Sequence, residues 1–161
     1  MAFALLYDQK VIEKEFAKIE ITTKQRKLAN EWVKKIKNKE LEKETENYIV
    51  FRDTILIGLL GYPMEEIMFE EKDVEFSIKD VKGITHVVFE AKGTKTKDLF
   101  ARQNYGKREQ EHPILQTISN MQRFAPPSAY GVCTNYDDFV LLDRELGITK
   151  CHKFKFTNIE N

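Results

Sequence analysis

The chain has 161 residues, of which 42% are hydrophobic and 11% aromatic, and 26 basic side chains balance 26 acidic ones to a formal net charge of zero. This length allows one domain with a substantial core, and the composition excludes a disordered segment. The balance of charge excludes a polybasic arm and an acidic tail, but it leaves open a separation of charge along the chain.

No segment of the sequence is typical of a membrane or a secreted protein. The longest stretch without Lys, Arg, Asp or Glu covers residues 124–136 and contains two prolines, whereas a membrane-spanning helix needs about 20 apolar residues. The apolar start, residues 1–7, is short and lacks a basic leader, so we expect no signal peptide. Cys133 and Cys151 show neither a disulfide framework nor a metal-ligand spacing. We therefore expect a cytoplasmic protein.

The first 60 residues have the periodicity of helices. Thr22 or Thr23 is a suitable N-cap for the second helix, and Gly61 and Pro63 end a third helix that begins near residue 40. The apolar faces of the first two helices comprise Val11, Ile12, Phe16 and Ile19, and Leu28, Trp32, Val33 and Ile36. We expect residues 1–38 to form a helical region packed on the same domain as the core, residues 39–161.

Beyond these helices the pattern changes to that of strands. Residues 67–69 form a short apolar run. Residues 74–78 and 84–89 have strand patterns around a turn at residues 80–83, which predicts an antiparallel hairpin. One more helix and two more strands follow at residues 113–124, 130–134 and 139–142. This order predicts an α/β fold with a mixed β-sheet flanked by helices.

The second strand of the hairpin ends in Glu90-Ala91-Lys92. Because side chains alternate along a strand, Glu90 and Lys92 point to the same face. Folding the hairpin about the middle of its turn places Asp73 opposite Glu90, with Glu75 on the same face as Asp73. Carboxylates and an ammonium group would then meet at one end of the hairpin.

This grouping suits metal-assisted hydrolysis of a phosphodiester. Carboxylate oxygens hold Mg²⁺ at roughly 2.1 Å and leave positions for water and a phosphate oxygen. A bound cation lowers the pKa of its water, and a neighbouring lysine can orient that water or share the developing charge. Gly93 directly after the motif would let a phosphate backbone approach closely. The residues predict Mg²⁺ as the cofactor, with Mn²⁺ as a substitute.

The motif alone is not specific. An acid two residues before a lysine occurs at three other places in the chain, and a cross-strand ion pair on a solvated face would give the same residues at Glu90 and Lys92. The identity of the first metal-binding acid is also open. A register two residues different selects Glu75 instead of Asp73, and Asp80 becomes a candidate only if the predicted turn is wrong.

A basic segment follows the motif. Residues 91–108 carry six basic residues against one acid, whereas residues 64–80 carry seven acids against two basic residues. We expect the basic loop to follow the backbone of double-stranded DNA beside the scissile phosphate, although a solvated surface loop has the same composition. The residues expected to contact DNA are Gly93, Thr94, Lys95, Lys97, Arg102, Lys107 and Arg108.

Beyond the single motif, the chain resembles the PD-(D/E)XK nuclease superfamily, and in its wider pattern the N-terminal endonuclease domain of type IIG restriction-modification enzymes. The matching stretches are residues 59–62, 89–99, 113–117 and 130–135, and order and spacing agree over roughly residues 40–156. The resemblance implies a restriction-endonuclease-like core over residues 39–161. It also implies a Mg²⁺-dependent endonuclease that hydrolyses DNA as the cleavage domain of a restriction-modification enzyme.

The resemblance further implies roles for individual residues. Asp73 and Glu90 would ligate the metal with help from the backbone carbonyl of Ala91, and Lys92 would be the catalytic lysine. The chain departs from the family pattern at the first acid, because Glu75 is a second candidate beside Asp73.

Two further residues match positions of the family outside the motif. Glu46 occupies the place of an extra acid that binds a metal or its water, although it also lies in a charge-rich run. Gln116 occupies the place of a glutamine that contacts the active site from the helix after the motif, although a helix-surface amide would look the same. Of the other candidates, only His86 shares the face of Glu90, and Cys133 is expected in the core.

The resemblance also implies partners, and alternatives remain. Related restriction enzymes carry a methyltransferase and a target-recognition region, which we expect in the same longer chain or in a partner. A second hypothesis is a catalytically degenerate module of the same fold that binds DNA or a protein without cleavage. A third makes the charged helices of residues 8–60 an interaction platform.

Overall fold

A computed structural model of the chain describes residues 4–105, 108–110 and 112–158. Within them the chain folds as a mixed β-sheet flanked by helices, which confirms the predicted α/β class. The strands are β1 (Ala4–Leu5), β2 (Ile67–Glu71), β3 (Val74–Lys79), β4 (Thr85–Ala91), β5 (Gln103–Tyr105), β6 (Arg108–Gln110), β7 (Tyr130–Thr134), β8 (Asp138–Asp143) and β9 (Gly147–Lys155).

Seven of the described strands form one sheet in the order β1-β9-β8-β7-β4-β3-β2, and β5 and β6 form a separate ribbon. The β4–β7 and β1–β9 pairs are parallel, and the other pairs are antiparallel. The α-helices are α1 (Gln9–Phe16), α2 (Thr23–Lys37), α3 (Tyr48–Phe51) and α4 (Pro113–Met121). A π-helix (Arg52–Leu59) continues α3, and short 3-10 turns cover Thr45–Asn47, Met64–Glu66 and Phe156–Asn158.

The first two predicted helices are present, but they pack differently. In α2, the Thr22 side chain accepts from the Gln25 amide and the Gln25 side chain accepts from the Thr22 amide, which is a capping box. Trp32 of α2 is fully buried, and its indole donates to the backbone carbonyl of Tyr136 at 2.8 Å. Helix α1 contributes no buried residue, so its apolar stripe faces solvent.

The third predicted helix begins later than expected. The predicted helix is absent at Leu41. This residue is buried, and its carbonyl accepts from the Thr94 amide at 2.9 Å. This contact ties residues 41–45, which we call the strap, to the chain just after β4. Regular helix therefore begins only beyond the strap, and Gly61 follows its end with φ +76°.

The predicted hairpin of β3 and β4 is confirmed, but the predicted register is wrong by two residues. Phe76 lies opposite Phe89 and Ser77 opposite Val88. The turn is longer than expected, because the Asp80 carboxylate accepts from the amides of Lys82 and Ile84 and the strands carry an irregularity next to it. A two-residue shift keeps each side chain on its face, and it brings Glu75 instead of Asp73 opposite Glu90.

Helix α4 is the crossover between the parallel strands β4 and β7, as predicted, although it ends at Met121 instead of residue 124. Gly131 of β7 allows the close contact, because a Cβ there would lie 2.7 Å from Met121 Sδ and 2.8 Å from Thr117 Cγ2. Val88 of β4 packs against Met121 from the same side. This packing fixes the polar side chains of α4 over the end of β4.

Strands β7 and β8 are confirmed, whereas β9 is an addition that the charged pattern of residues 147–155 did not predict. Cys133 is a buried free thiol, as expected for a core residue, and Cys151 is buried as well. None of the helices in the described part of the chain is long and apolar enough to cross a membrane.

Candidate active site

The hairpin brings two carboxylates and an ammonium group together on the sheet face that α4 covers. Continuing the register by one residue beyond Phe76 and Phe89 places Glu75 opposite Glu90. The Lys92 ammonium lies 2.5 Å from Glu90 Oε1 and 3.8 Å from Glu75 Oε1. The side chains of Glu90, Lys92 and Glu75 are 0%, 8% and 13% exposed. Charged groups this deeply buried are rare unless they are paired, as they are here.

Two residues that the sequence did not indicate complete this cluster. Glu44 of the strap places Oε1 3.5 Å from Lys92 Nζ. Asn120 of α4 is buried and donates from Nδ2 to Glu90 Oε2 at 2.8 Å. Asn120 lies one helical turn after Gln116 and so shares its helix face, a spacing that could have identified it. Glu44 had no local signal, because its position depends on the contact of the strap with the chain after β4.

The need for a glycine at position 93 is explained by the strap, which passes close to its backbone. A Cβ at this position would collide with the backbone carbonyl of Glu42. The next amide, that of Thr94, is already bonded to Leu41. The sequence interpretation of Gly93 as an approach point for phosphate therefore has a competing structural reason, which is the passage of the strap beside it.

An open groove of about 680 Å³ runs over the cluster. Lys92 and Glu75 line it, together with residues 42–45 of the strap, Gln116 of α4 and Arg123 just after α4. The remaining lining residues include Gly93, Lys95 and Thr96. The lining is polar and carries both signs of charge, so the groove suits a charged ligand better than an apolar one.

Three predicted acids lie away from the cluster. Asp73 sits in the turn between β2 and β3, its side chain is 96% exposed, and it pairs with Arg123 instead of facing Glu90. Glu46 is 63% exposed and pairs with Lys43, so Glu44 and not Glu46 is the strap acid beside Lys92. Asp80 lies at the far end of the hairpin, where it contacts His86 at 2.9 Å. The register, the late helix start and the longer turn explain these differences.

The residues expected to contact DNA are distributed more widely than the basic segment implied. Lys95 lines the groove and pairs with Glu42, whereas Lys97 lines a separate hollow beside β8 and β9. The side chain of Thr94 is buried, and that of Arg102 is exposed. Lys107 lies outside the described residues, and Arg108 begins β6.

The cluster shifts the protonation of its members. Burial, and then the negative charge of Glu90, raise the pKa of Glu75 to about 9 against the opposing effect of Lys92. Burial by itself would lower the pKa of Lys92, but the carboxylates of Glu90, Glu44 and Glu75 outweigh it and raise that pKa above its ordinary value. Lys92 is therefore charged at neutral pH, and Glu75 holds a proton that a cation could replace.

This protonation predicts a pH-dependent stability. The pKa of Glu75 is about 9 in the folded protein against an ordinary 4.5, so between these values the folded state holds a proton that the unfolded state has released. Without a divalent cation, the free energy of unfolding should therefore fall as the pH rises from 5 to 9. The fall should be at least about 1.4 kcal/mol, the equivalent of one pKa unit. Urea denaturation across this range measures it.

The matched variant is Glu75→Gln, which keeps the shape of the side chain and cannot titrate. It should lose most of the dependence on pH that the unmodified chain shows. An equally steep fall in the variant would mean that another group carries the proton.

Two observations bear on whether a metal ion fits the cluster. Glu75 Oε2 and Glu90 Oε1 are buried carboxylate oxygens without a hydrogen-bond partner by geometry, and Glu90 Oε1 is in an ion pair with Lys92. Among the described residues, no group of three or more His, Cys, Asp or Glu side chains is arranged to hold a metal. Mg²⁺ is commonly held by one or two carboxylates, with waters and a substrate phosphate as its other ligands. The two carboxylates therefore fit Mg²⁺ and do not form a complete cage.

Comparison with known proteins gives no relative for this chain. No protein-family model matches it, and neither a curated protein nor a solved structure gives a significant match.

Proposed function

We propose that the chain is a Mg²⁺-dependent endonuclease that hydrolyses phosphodiester bonds in double-stranded DNA. One observation carries the proposal: the β3–β4 register sets Glu75 opposite Glu90, with Lys92 2.5 Å from Glu90, and Glu75 and Lys92 line an open polar groove. A buried cluster of two acids and one lysine beside a groove is costly to fold, and such arrangements are concentrated at functional sites.

The arrangement of the elements supports a restriction-endonuclease-like core as the finer fold. A helix precedes an antiparallel hairpin, and a crossover helix then leads to a strand parallel to β4. This is the order that the resemblance to PD-(D/E)XK nucleases implies, with Glu75 in place of Asp73 as the first acid.

Glu75 and Glu90 would hold the cation, with the backbone carbonyl of Ala91 as a further ligand. The cation, when bound, would lower the pKa of a coordinated water and neutralise negative charge on the phosphate. The side chains of the protein supply the remaining catalytic roles. Asn120 fixes the orientation of Glu90, and Lys92 places a positive charge beside the acids, where it can orient the attacking water or stabilise the transition state.

The lining of the groove favours the DNA backbone as the ligand. Its described residues include four basic side chains (Lys43, Lys92, Lys95 and Arg123) and no aromatic one on which a base could stack. We propose that sequence recognition comes from a target-recognition region, and modification from a methyltransferase, in the same longer chain or in a partner.

The test is cleavage of supercoiled plasmid DNA by the purified chain at low ionic strength. We expect nicked and linear products with Mg²⁺ or Mn²⁺ and none with EDTA. Cleavage that persists in EDTA would overturn the metal dependence. DNA binding without cleavage in either cation would replace the enzyme by the catalytically degenerate binding module.

A further inference from the structure

Arg123 lies where α4 meets the groove, and no motif or periodicity indicated it. It follows the C-cap residue Gln122 and lines the groove. Its Nη1 donates to the carbonyl of Lys72 at 2.8 Å and lies 3.4 Å from Asp73 Oδ2. In return, Lys72 Nζ donates to the carbonyl of Arg123 at 3.2 Å. The turn between β2 and β3 is thus bonded to the end of α4 from both sides.

This turn has an uncommon backbone. Glu70, Lys72 and Asp73 have φ values of 51°, 56° and 59°, in the left-handed region that residues other than glycine rarely adopt. Lys72 and Asp73 are the two central residues between the paired Glu71 and Val74, and a two-residue hairpin turn with positive φ at both positions suits the twist of the strands. This turn directs the Lys72 carbonyl at the guanidinium of Arg123, so it holds that side chain at the edge of the groove.

The cations that line the groove differ in how they are held. Lys95 and Lys43 are 68% and 65% exposed and pair with Glu42 and Glu46, whereas the guanidinium of Arg123 is also held by the Lys72 carbonyl. Arg123 pairs with Asp73, whose side chain is 96% exposed. An ion pair with so exposed a partner is weak. A phosphate can therefore displace Asp73 and receive two hydrogen bonds from the planar guanidinium.

We propose that Arg123 is a binding site for a DNA phosphate that flanks the phosphate cleaved at Lys92, and that Asp73 occupies the guanidinium while DNA is absent. This inference rests on the proposed function, because the ligand is the same DNA duplex. It gives Asp73 a role opposite to that of a metal ligand: Asp73 competes with the substrate.

The test is a double-mutant cycle on binding of a short DNA duplex, with Ca²⁺ in place of Mg²⁺ to suppress cleavage. Arg123→Gln should weaken binding about 10-fold at low salt, and the slope of log K against log salt should decrease by about 0.9, the value for one phosphate contact. Arg123→Lys keeps the positive charge but loses the planar guanidinium that can donate two parallel hydrogen bonds. Its affinity for DNA should lie between those of the unmodified chain and Arg123→Gln. Asp73→Asn should strengthen binding about threefold, and this gain should vanish in the Arg123→Gln background.

The cycle separates a specific site from a general effect of charge. A gain from Asp73→Asn that is equal in both backgrounds would overturn the inference, because long-range charge effects add. Native-like binding by Arg123→Gln would also overturn it. Lys27→Gln on α2, an exposed cation outside the groove, is the matched control and should change binding less than twofold. If the unmodified chain binds and cleaves DNA while the cycle shows no coupling, this inference alone fails. If it neither binds nor cleaves, the proposed function fails with it.

Discussion

Replacing Lys92 with methionine is expected to reduce Mg²⁺-dependent cleavage of plasmid DNA by about 10³-fold or more. Methionine has a similar length and no charge, so the variant removes the ammonium that lies 2.5 Å from Glu90 and 3.5 Å from Glu44. No other basic residue among the described ones lies within ion-pair distance of Glu90. Initial rates at saturating Mg²⁺ measure the loss, and cleavage at the native rate would contradict the role of Lys92.

The same substitution should also destabilise the fold. It leaves the buried carboxylate of Glu90 without its counter-charge, and breaking a buried ion pair typically costs about 3–5 kcal/mol. The loss should be nearly the same at pH 5 and at pH 8, because Glu75, with a pKa of about 9, keeps its proton at both values whether or not Lys92 opposes the rise. Urea denaturation at both pH values measures the loss.

Lys95→Met is the matched control for stability. It removes the same group three residues further along the chain, where the side chain is 68% exposed and pairs with Glu42. An exposed pair contributes less than about 1 kcal/mol, so the control should unfold much like the unmodified chain. Equal destabilisation by Lys92→Met and Lys95→Met would mean that the stability of the buried cluster does not depend on the charge of Lys92.

Glu75→Gln should reduce cleavage about 10²-fold or more, whereas Asp73→Asn should stay within about threefold of the unmodified chain. Each change replaces an anionic oxygen by an amide of nearly the same shape, and Mg²⁺ prefers the carboxylate. The difference follows from the register, since Glu75 faces Glu90 across the hairpin and Asp73 is exposed in the turn before β3. Initial rates across a range of Mg²⁺ concentrations separate a loss of cation affinity from a loss of turnover. The reverse order of the two variants would restore Asp73 as the metal ligand.

The sequence predicted those parts of the fold that depend on local pattern. Alternation along β4 identified Glu90 and Lys92 as neighbours on one face, and the structure brings them together. The hairpin and the crossover helix α4 follow from turn residues and hydrophobic periodicity. Gln116 was placed by resemblance, and it lines the groove.

What the sequence could not predict depends on contacts between distant residues. The hairpin register was set by the hydrogen bonds of Asp80 within a turn longer than expected. Glu44 reaches Lys92 only because Leu41 bonds to Thr94 across the fold. Arg123 enters the groove because its guanidinium is held by the carbonyl of Lys72, 51 residues earlier in the chain.

The zero net charge has a structural counterpart in the site. The acidic segment of residues 64–80 contributes Glu75, and the basic segment of residues 91–108 contributes Lys92 and Lys95, all on the same groove. The other two cations of the groove, Lys43 and Arg123, come from outside both segments. A chain without net charge attracts DNA weakly over long distances, so we expect its DNA binding to depend strongly on salt.

The most direct measurement of the central claim is anomalous X-ray scattering from crystals of the unmodified chain soaked in Mn²⁺. The account predicts a peak within roughly 2.5 Å of one carboxylate oxygen from Glu75 and one from Glu90, beside Lys92. A peak at Asp73, or no peak between Glu75 and Glu90 at a saturating concentration of Mn²⁺, would contradict it.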